Sequence, residues 1–158
     1  MAGGGPLEDL GIYCIQGFCY TTGMEPIAVT AQEGTKTDME KFKDVEQSLT
    51  WQMEMPGNII CEGKASYYDG MNFLKAEAEK GMFELTPAFN YAGQKGNTPE
   101  GAMNLPKINQ QAKQMDDFAQ CIKNNRPTSV PGEMGRRDVK IISAIYEAMN
   151  TGKRVMIK

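Results

Sequence analysis

Residues 49–55 read Leu-Thr-Trp-Gln-Met-Glu-Met, and this strict alternation constrains the fold more than any other stretch of the chain. Leu49, Trp51, Met53 and Met55 fall on one face of an extended strand and Thr50, Gln52 and Glu54 on the other, because successive strand side chains point to opposite sides. Pro56-Gly57-Asn58 then supplies a turn, and IICEGKASYY reads as the antiparallel return strand. A strand with one apolar face needs a covering layer, so the rest of the chain has to supply helices or a second sheet.

Helices are present in the pattern. Pro6 suits a first helical turn, Glu8 and Asp9 complement the helix dipole, and Leu7, Leu10, Cys14 and Gly17 recur at three- and four-residue steps. This predicts a helix from about Pro6 to Tyr20, ended near Gly23. Pro26 opens a strand, IAVTAQE, and the charged stretch from Gly34 to Lys43 reads as a surface loop. NFLKAEA and MFELTPAF form a hairpin around Glu79-Lys80-Gly81, whose glycine takes a positive φ in a three-residue loop. Residues 88–106 carry three glycines and two prolines and read as one long loop. Ile108, Ala112, Met115, Phe118 and Ile122 mark the apolar face of a second helix. Val139, Ile142, Ile145 and Met149 mark that of a third, which Gly152 caps before a short last strand, VMIK. The order predicts a single α+β domain over 1–158: an open, mostly antiparallel sheet with helices packed on one face.

Composition narrows the function. The chain has 158 residues with 17 Lys and Arg against 20 Asp and Glu, net −3, and no basic block, which argues against nucleic acid or an anionic membrane as partner. No run approaches the ~18 apolar residues of a membrane span. There is no histidine, and Cys14, Cys19, Cys61 and Cys121 form no CxxC pair, so no metal site is expected and every histidine-based triad is ruled out. The cysteines read as small buried hydrophobes and lean toward a reducing compartment. Gly3-Gly4-Gly5 lacks the spacing and the preceding strand of a dinucleotide-binding loop. Proton transfer would have to use tyrosine, carboxylate, lysine or a group supplied by a partner.

Asp9 and Tyr13 are four residues apart on the first helix, on one face and within reach of a common ligand. A surface carboxylate beside a half-buried phenol is also commonplace, so the pair alone leaves both readings open.

Several separated blocks carry a more specific signal. GGGPLEDLGIYCIQG, VEQSLTWQMEMPG, AEKGMFELTPAFNYAG and DDFAQCIKNNRPTSVPGEMGRRDVKIISAIYEAMNTGKRV resemble, in order, blocks of the glucose-fructose oxidoreductase / inositol dehydrogenase (GFO/IDH/MocA) family. The resemblance spans nearly the whole chain and is to the C-terminal α+β domain, which in that family follows a Rossmann domain binding NAD or NADP. Asp9-Leu10-Gly11-Ile12-Tyr13 is similar to the family's Asp-x-Gly-x-His/Tyr segment in its glucose-fructose oxidoreductase branch. The resemblance implies that Tyr13 exchanges the proton of a sugar or polyol hydroxyl or carbonyl, that Asp9 orients the sugar, and that the partnering lysine lies in the nucleotide domain. Phe89 and Tyr91 would approach the same pocket from the long loop. NAD or NADP would serve the full-length protein, with none bound to this chain alone, which is expected to be inactive. Met1-Ala2, directly before the first block, reads as an artificial start within a longer protein. Relatives include exported proteins, so localisation stays open. The resemblance also implies a homodimer or higher homo-oligomer through the sheet face bearing Thr50, Gln52 and Glu54. The alternative is a stand-alone dimerisation or docking module with the same fold.

Overall fold

The alternating stretch folds as expected. In the computed structural model Leu49, Trp51, Met53 and Met55 lie on strand β2 (Ser48–Met55) and are each at most 2% exposed, whereas Thr50 and Gln52 face solvent. Burying each of these large apolar side chains contributes about 1.5–3 kcal/mol before the entropy cost of ordering it. The structure describes residues 4–157. Met1, Ala2 and Gly3, and with them the expectation of an artificial start, lie outside the described residues, as does Lys158.

The chain divides into two compact units, one running to Gly70 and resuming at Glu133, the other Met71–Gly132. In the first, a π-helical turn (Leu7–Gly11) runs directly into α1 (Ile12–Thr22), which Gly23 closes with a left-handed φ of 68°. β1 (Ala28–Glu33), β2, β3 (Ile59–Ser66) and β8 (Val155–Met156) form a sheet of order β3-β2-β1-β8, antiparallel at every pairing. α3 (Gly132–Thr151) buries Ile141, Ile142, Ala144, Ile145 and Ala148. These join Leu7 and Ile15 and the inward side chains of β2 in one core. Val139, expected on the buried face of α3, is exposed, because that face is centred on the row 138, 141, 145 and 148, which leaves 139 outside it.

Two polar anchors tie this unit together. Asp138, fully buried on α3, accepts from Gln16 Nε2 of α1 at 2.7 Å and from the Arg137 guanidinium at 2.6 and 2.8 Å. Glu46, 3% exposed in the loop before β2, accepts from the Leu7 backbone N–H and from the Tyr146 hydroxyl, both at 3.0 Å. Buried carboxylates are tolerated only when satisfied in this way.

In the second unit, β4 (Leu74–Ala78) and β5 (Gly81–Leu85) make the expected hairpin, with Gly81 at φ 128°. Ala78 pairs directly with Gly81, so the loop is the two residues Glu79-Lys80, one shorter than the sequence suggested. β6 (Gly96–Thr98) and β7 (Gly101–Ala102) extend this sheet in the order β4-β5-β6-β7. They interrupt what read as one continuous loop, since a pairing of two or three residues leaves too short a run for periodicity to register. The expected antiparallel α+β architecture is therefore present with its strands divided between two sheets.

α2 (Gln110–Lys123) starts at Asn109, whose side chain accepts from the Ala112 N–H at 3.0 Å. Its apolar stripe is largely solvent-exposed, with Met115 at 73% and Ile122 at 68%, while Cys121 is buried. No helix among the described residues is long and apolar enough to cross a membrane.

Candidate functional site: the Asp9 helix and the Tyr67 segment

The π-helical turn carries Asp9 and the first turn of α1 carries Tyr13. Single π-helical turns inside helices recur at functional sites, because they widen the backbone and redirect side chains. Here the widened turn begins where Glu46 holds the Leu7 N–H and where Gly5 lies against Glu46, a place with no room for a Cβ. Asp9 and Tyr13 are both exposed, so a helix fixed in the core from below presents a carboxylate and a phenol to solvent on its outer side.

The side chain that meets Asp9 comes from elsewhere. The Tyr67 hydroxyl donates to Asp9 Oδ2 at 3.2 Å, joining residues 58 positions apart. Burial, the Asp9 charge and that hydrogen bond together push the Tyr67 phenol above its ordinary pKa. The Tyr67 ring stacks on Phe42 at 6.2 Å between centroids and 28° between planes, and Tyr68 meets the same ring edge-on at 6.2 Å. Phe42 is 2% exposed although it lies in the charged loop, so it acts as the anchor under both tyrosines. Their backbone is fixed too: Ser66 Oγ accepts from the Tyr68 and Asp69 N–H groups at 3.1 Å, and the Tyr67 N–H donates to the Gln47 carbonyl at 3.3 Å.

The sequence pattern singles out Asp9 and Tyr13 but not Tyr67, which it places at the end of a strand. The available signal was the Ser66-Tyr67-Tyr68-Asp69 run, where two adjacent aromatics beyond a strand end cannot both face a core.

Phe89 and Tyr91 belong to the second unit. Phe89 is partly buried, and its backbone N–H donates to Asn72 Oδ1 at 2.8 Å. Tyr91 is exposed and its carbonyl accepts from Gln110 Nε2 at 3.0 Å. The loop is thus braced by side-chain amides on both sides.

The described residues do not fit a dinucleotide. Every strand pairing is antiparallel, so none of the strand-helix-strand crevices that hold a pyrophosphate occurs among them, and no glycine-rich turn leads from a strand into a helix. Nor does any group of three or more metal-ligating side chains occur among them. Burial pushes the Cys14 thiol up to about 11 and raises Cys19 and Cys61 as well, so these three thiols are not activated.

The chain belongs to the oxidoreductase family whose C-terminal alpha/beta domain matches residues 2–157. It is 33% identical to the aldose-aldose oxidoreductase of Caulobacter crescentus, solved with glycerol, over 98% of this chain and 48% of that one, with a TM-score of 0.92. It is 25% identical to the D-xylose 1-dehydrogenase [NADP(+)] of Haloarcula marismortui, over 99% of this chain and 45% of the relative. The scyllo-inositol dehydrogenase of Lactobacillus casei, solved with NAD(H) and scyllo-inositol, shares the fold at 18% identity and a TM-score of 0.76, over 99% of this chain and 49% of that one. The chain therefore spans about half the length of the relatives it matches.

Proposed function

We propose that this chain is the substrate-side half of an NAD(P)-dependent oxidoreductase acting on a sugar or polyol, and that it works joined to a nucleotide-binding half. The observation that carries this reading is the Asp9 and Tyr13 pair on a core-anchored helix, in a chain whose family is shown and whose described strands pair only antiparallel. The relatives' names support the substrate class: an aldose-aldose oxidoreductase and a D-xylose 1-dehydrogenase. In this reading Tyr13 gives or takes the proton of the reacting oxygen, and Asp9, already hydrogen-bonded to Tyr67, orients the neighbouring hydroxyls. The cofactor belongs to the other half, and the chain alone turns nothing over. The outer face of the β1-β2-β3 sheet, with Thr50, Gln52 and Glu54, serves as the surface through which copies associate.

The test is a chimera that joins this chain to the half of the Caulobacter relative lying outside the matched region. Nicotinamide-linked turnover of an aldose is expected from the chimera and none from the chain alone. Tyr13→Phe should lower kcat by about 10²–10⁴. Turnover by the isolated chain, or a Tyr13→Phe chimera as fast as its parent, defeats the proposal.

A further inference from the structure

We infer that Tyr67 is a substrate-contacting residue, its hydroxyl and the Asp9 carboxylate forming a two-pronged site for a vicinal diol, with Tyr68 beside it as an aromatic face for the sugar's C–H groups. This rests on the reading that Asp9 belongs to the substrate side. The Tyr67 oxygen and Asp9 Oδ2 stand 3.2 Å apart, so the two side chains are joined at their tips. With the phenol proton committed to Asp9 Oδ2, the Tyr67 oxygen keeps lone pairs to accept from one hydroxyl, and the carboxylate has Oδ1 to accept from the next. A phenol alone would bind a diol weakly and without orientation, and a carboxylate alone would rotate. The hydrogen bond between them fixes both acceptors.

Preorganisation supports the assignment. The Tyr67 ring is held by the buried Phe42 and its backbone by Gln47 and Ser66, so little entropy remains to be lost on binding. Tyr67 and Tyr68 remain 42% and 59% exposed, so both rings are open to a ligand. Rings with an apolar face and a polar tip, at the edge of a carboxylate, match the chemistry of a carbohydrate, which offers C–H patches and hydroxyls side by side.

Saturation-transfer NMR on this chain with D-xylose and with scyllo-inositol tests the inference, since it reads weak binding without turnover. Transfer to sugar C–H protons is expected, with half-saturation in the millimolar to tens-of-millimolar range. Tyr67→Phe keeps the ring on Phe42 and removes only the hydroxyl, so the fold should be unchanged by circular dichroism. The half-saturation concentration should rise about five- to tenfold in that variant and in Asp9→Asn, and the double variant should lose little more than the worse single one, because the two groups act as a unit. Wild-type affinity in Tyr67→Phe together with loss in Asp9→Asn overturns the inference and leaves the proposed function standing. Binding indifferent to both variants overturns the inference and removes Asp9 from the proposed site too. No transfer from the wild-type chain to either probe overturns the inference alone, since the proposed function is judged by turnover of the chimera.

Discussion

The Tyr146 hydroxyl meets Glu46 Oε1 at 3.0 Å across 100 residues of sequence, and the same oxygen accepts the Leu7 N–H that begins the Asp9 and Tyr13 helix. One carboxylate thereby joins α3, the loop before β2 and the helix start. Removing it leaves a part-buried hydroxyl and a buried amide without an acceptor. Glu46→Ala should cost about 2–4 kcal/mol of stability in urea unfolding followed by circular dichroism, and Glu46→Gln, which keeps an acceptor oxygen, less than half of that. Equal losses in the two variants would show that the hydrogen bonds do not carry the effect.

Alkaline pH should loosen the first unit. The Cys14 thiol is raised from 9.0 to about 11 by burial, and the Tyr146 phenol is raised by burial and by Glu46. For both groups the folded state favours the protonated form. The stability they contribute is complete below the unfolded pKa and is lost as pH rises through the folded one. For Cys14 the window runs from 9.0 to about 11, with about 2 kcal/mol at stake. Cys14→Ala should flatten the fall of the urea midpoint across that window. An unchanged slope in the variant would assign the fall to other groups.

Gly63 faces Trp51 across the β2-β3 pairing, and a Cβ there would clash with the indole ring. Gly63→Ala is therefore expected to destabilise by about 1–3 kcal/mol through overpacking, although alanine suits a strand better than glycine. A midpoint at or above that of the wild type would mean the ring shifts freely.

The outer sheet face offers Thr50 and Gln52, with Gln52 Nε2 donating to Glu62 Oε1 at 2.8 Å and Glu54 paired to Arg154. If copies associate there, light scattering should give a dimer or larger, and Gln52→Arg with Thr50→Arg should shift it toward monomer while the circular dichroism spectrum stays that of the wild type, since both positions are exposed. A wild-type chain that stays monomeric at high concentration ends this proposal.

Much of the fold was legible because it is written in periods. The β2 alternation and the glycines at 23, 81 and 152 locate elements that recur in the structure. The division into two sheets was not legible, because strand pattern says which face is buried and not which strand lies alongside. At the proposed site, Asp9 and Tyr13 stand out through local spacing and a resemblance. Tyr67 and Glu46 were missed because their partners lie 58, 39 and 100 residues away, and a hydrogen bond over such distances leaves no periodic trace.

Trp51 is the chain's single tryptophan, 2% exposed in the core of the first unit, while Met71–Gly132 has none. Its emission is consequently a private reporter. A blue-shifted fluorescence band that reddens on denaturation follows the first unit alone, whereas backbone ellipticity follows both. Superimposable transitions from the two signals would mean that the units melt as one cooperative body, and separated transitions that each has its own melting point.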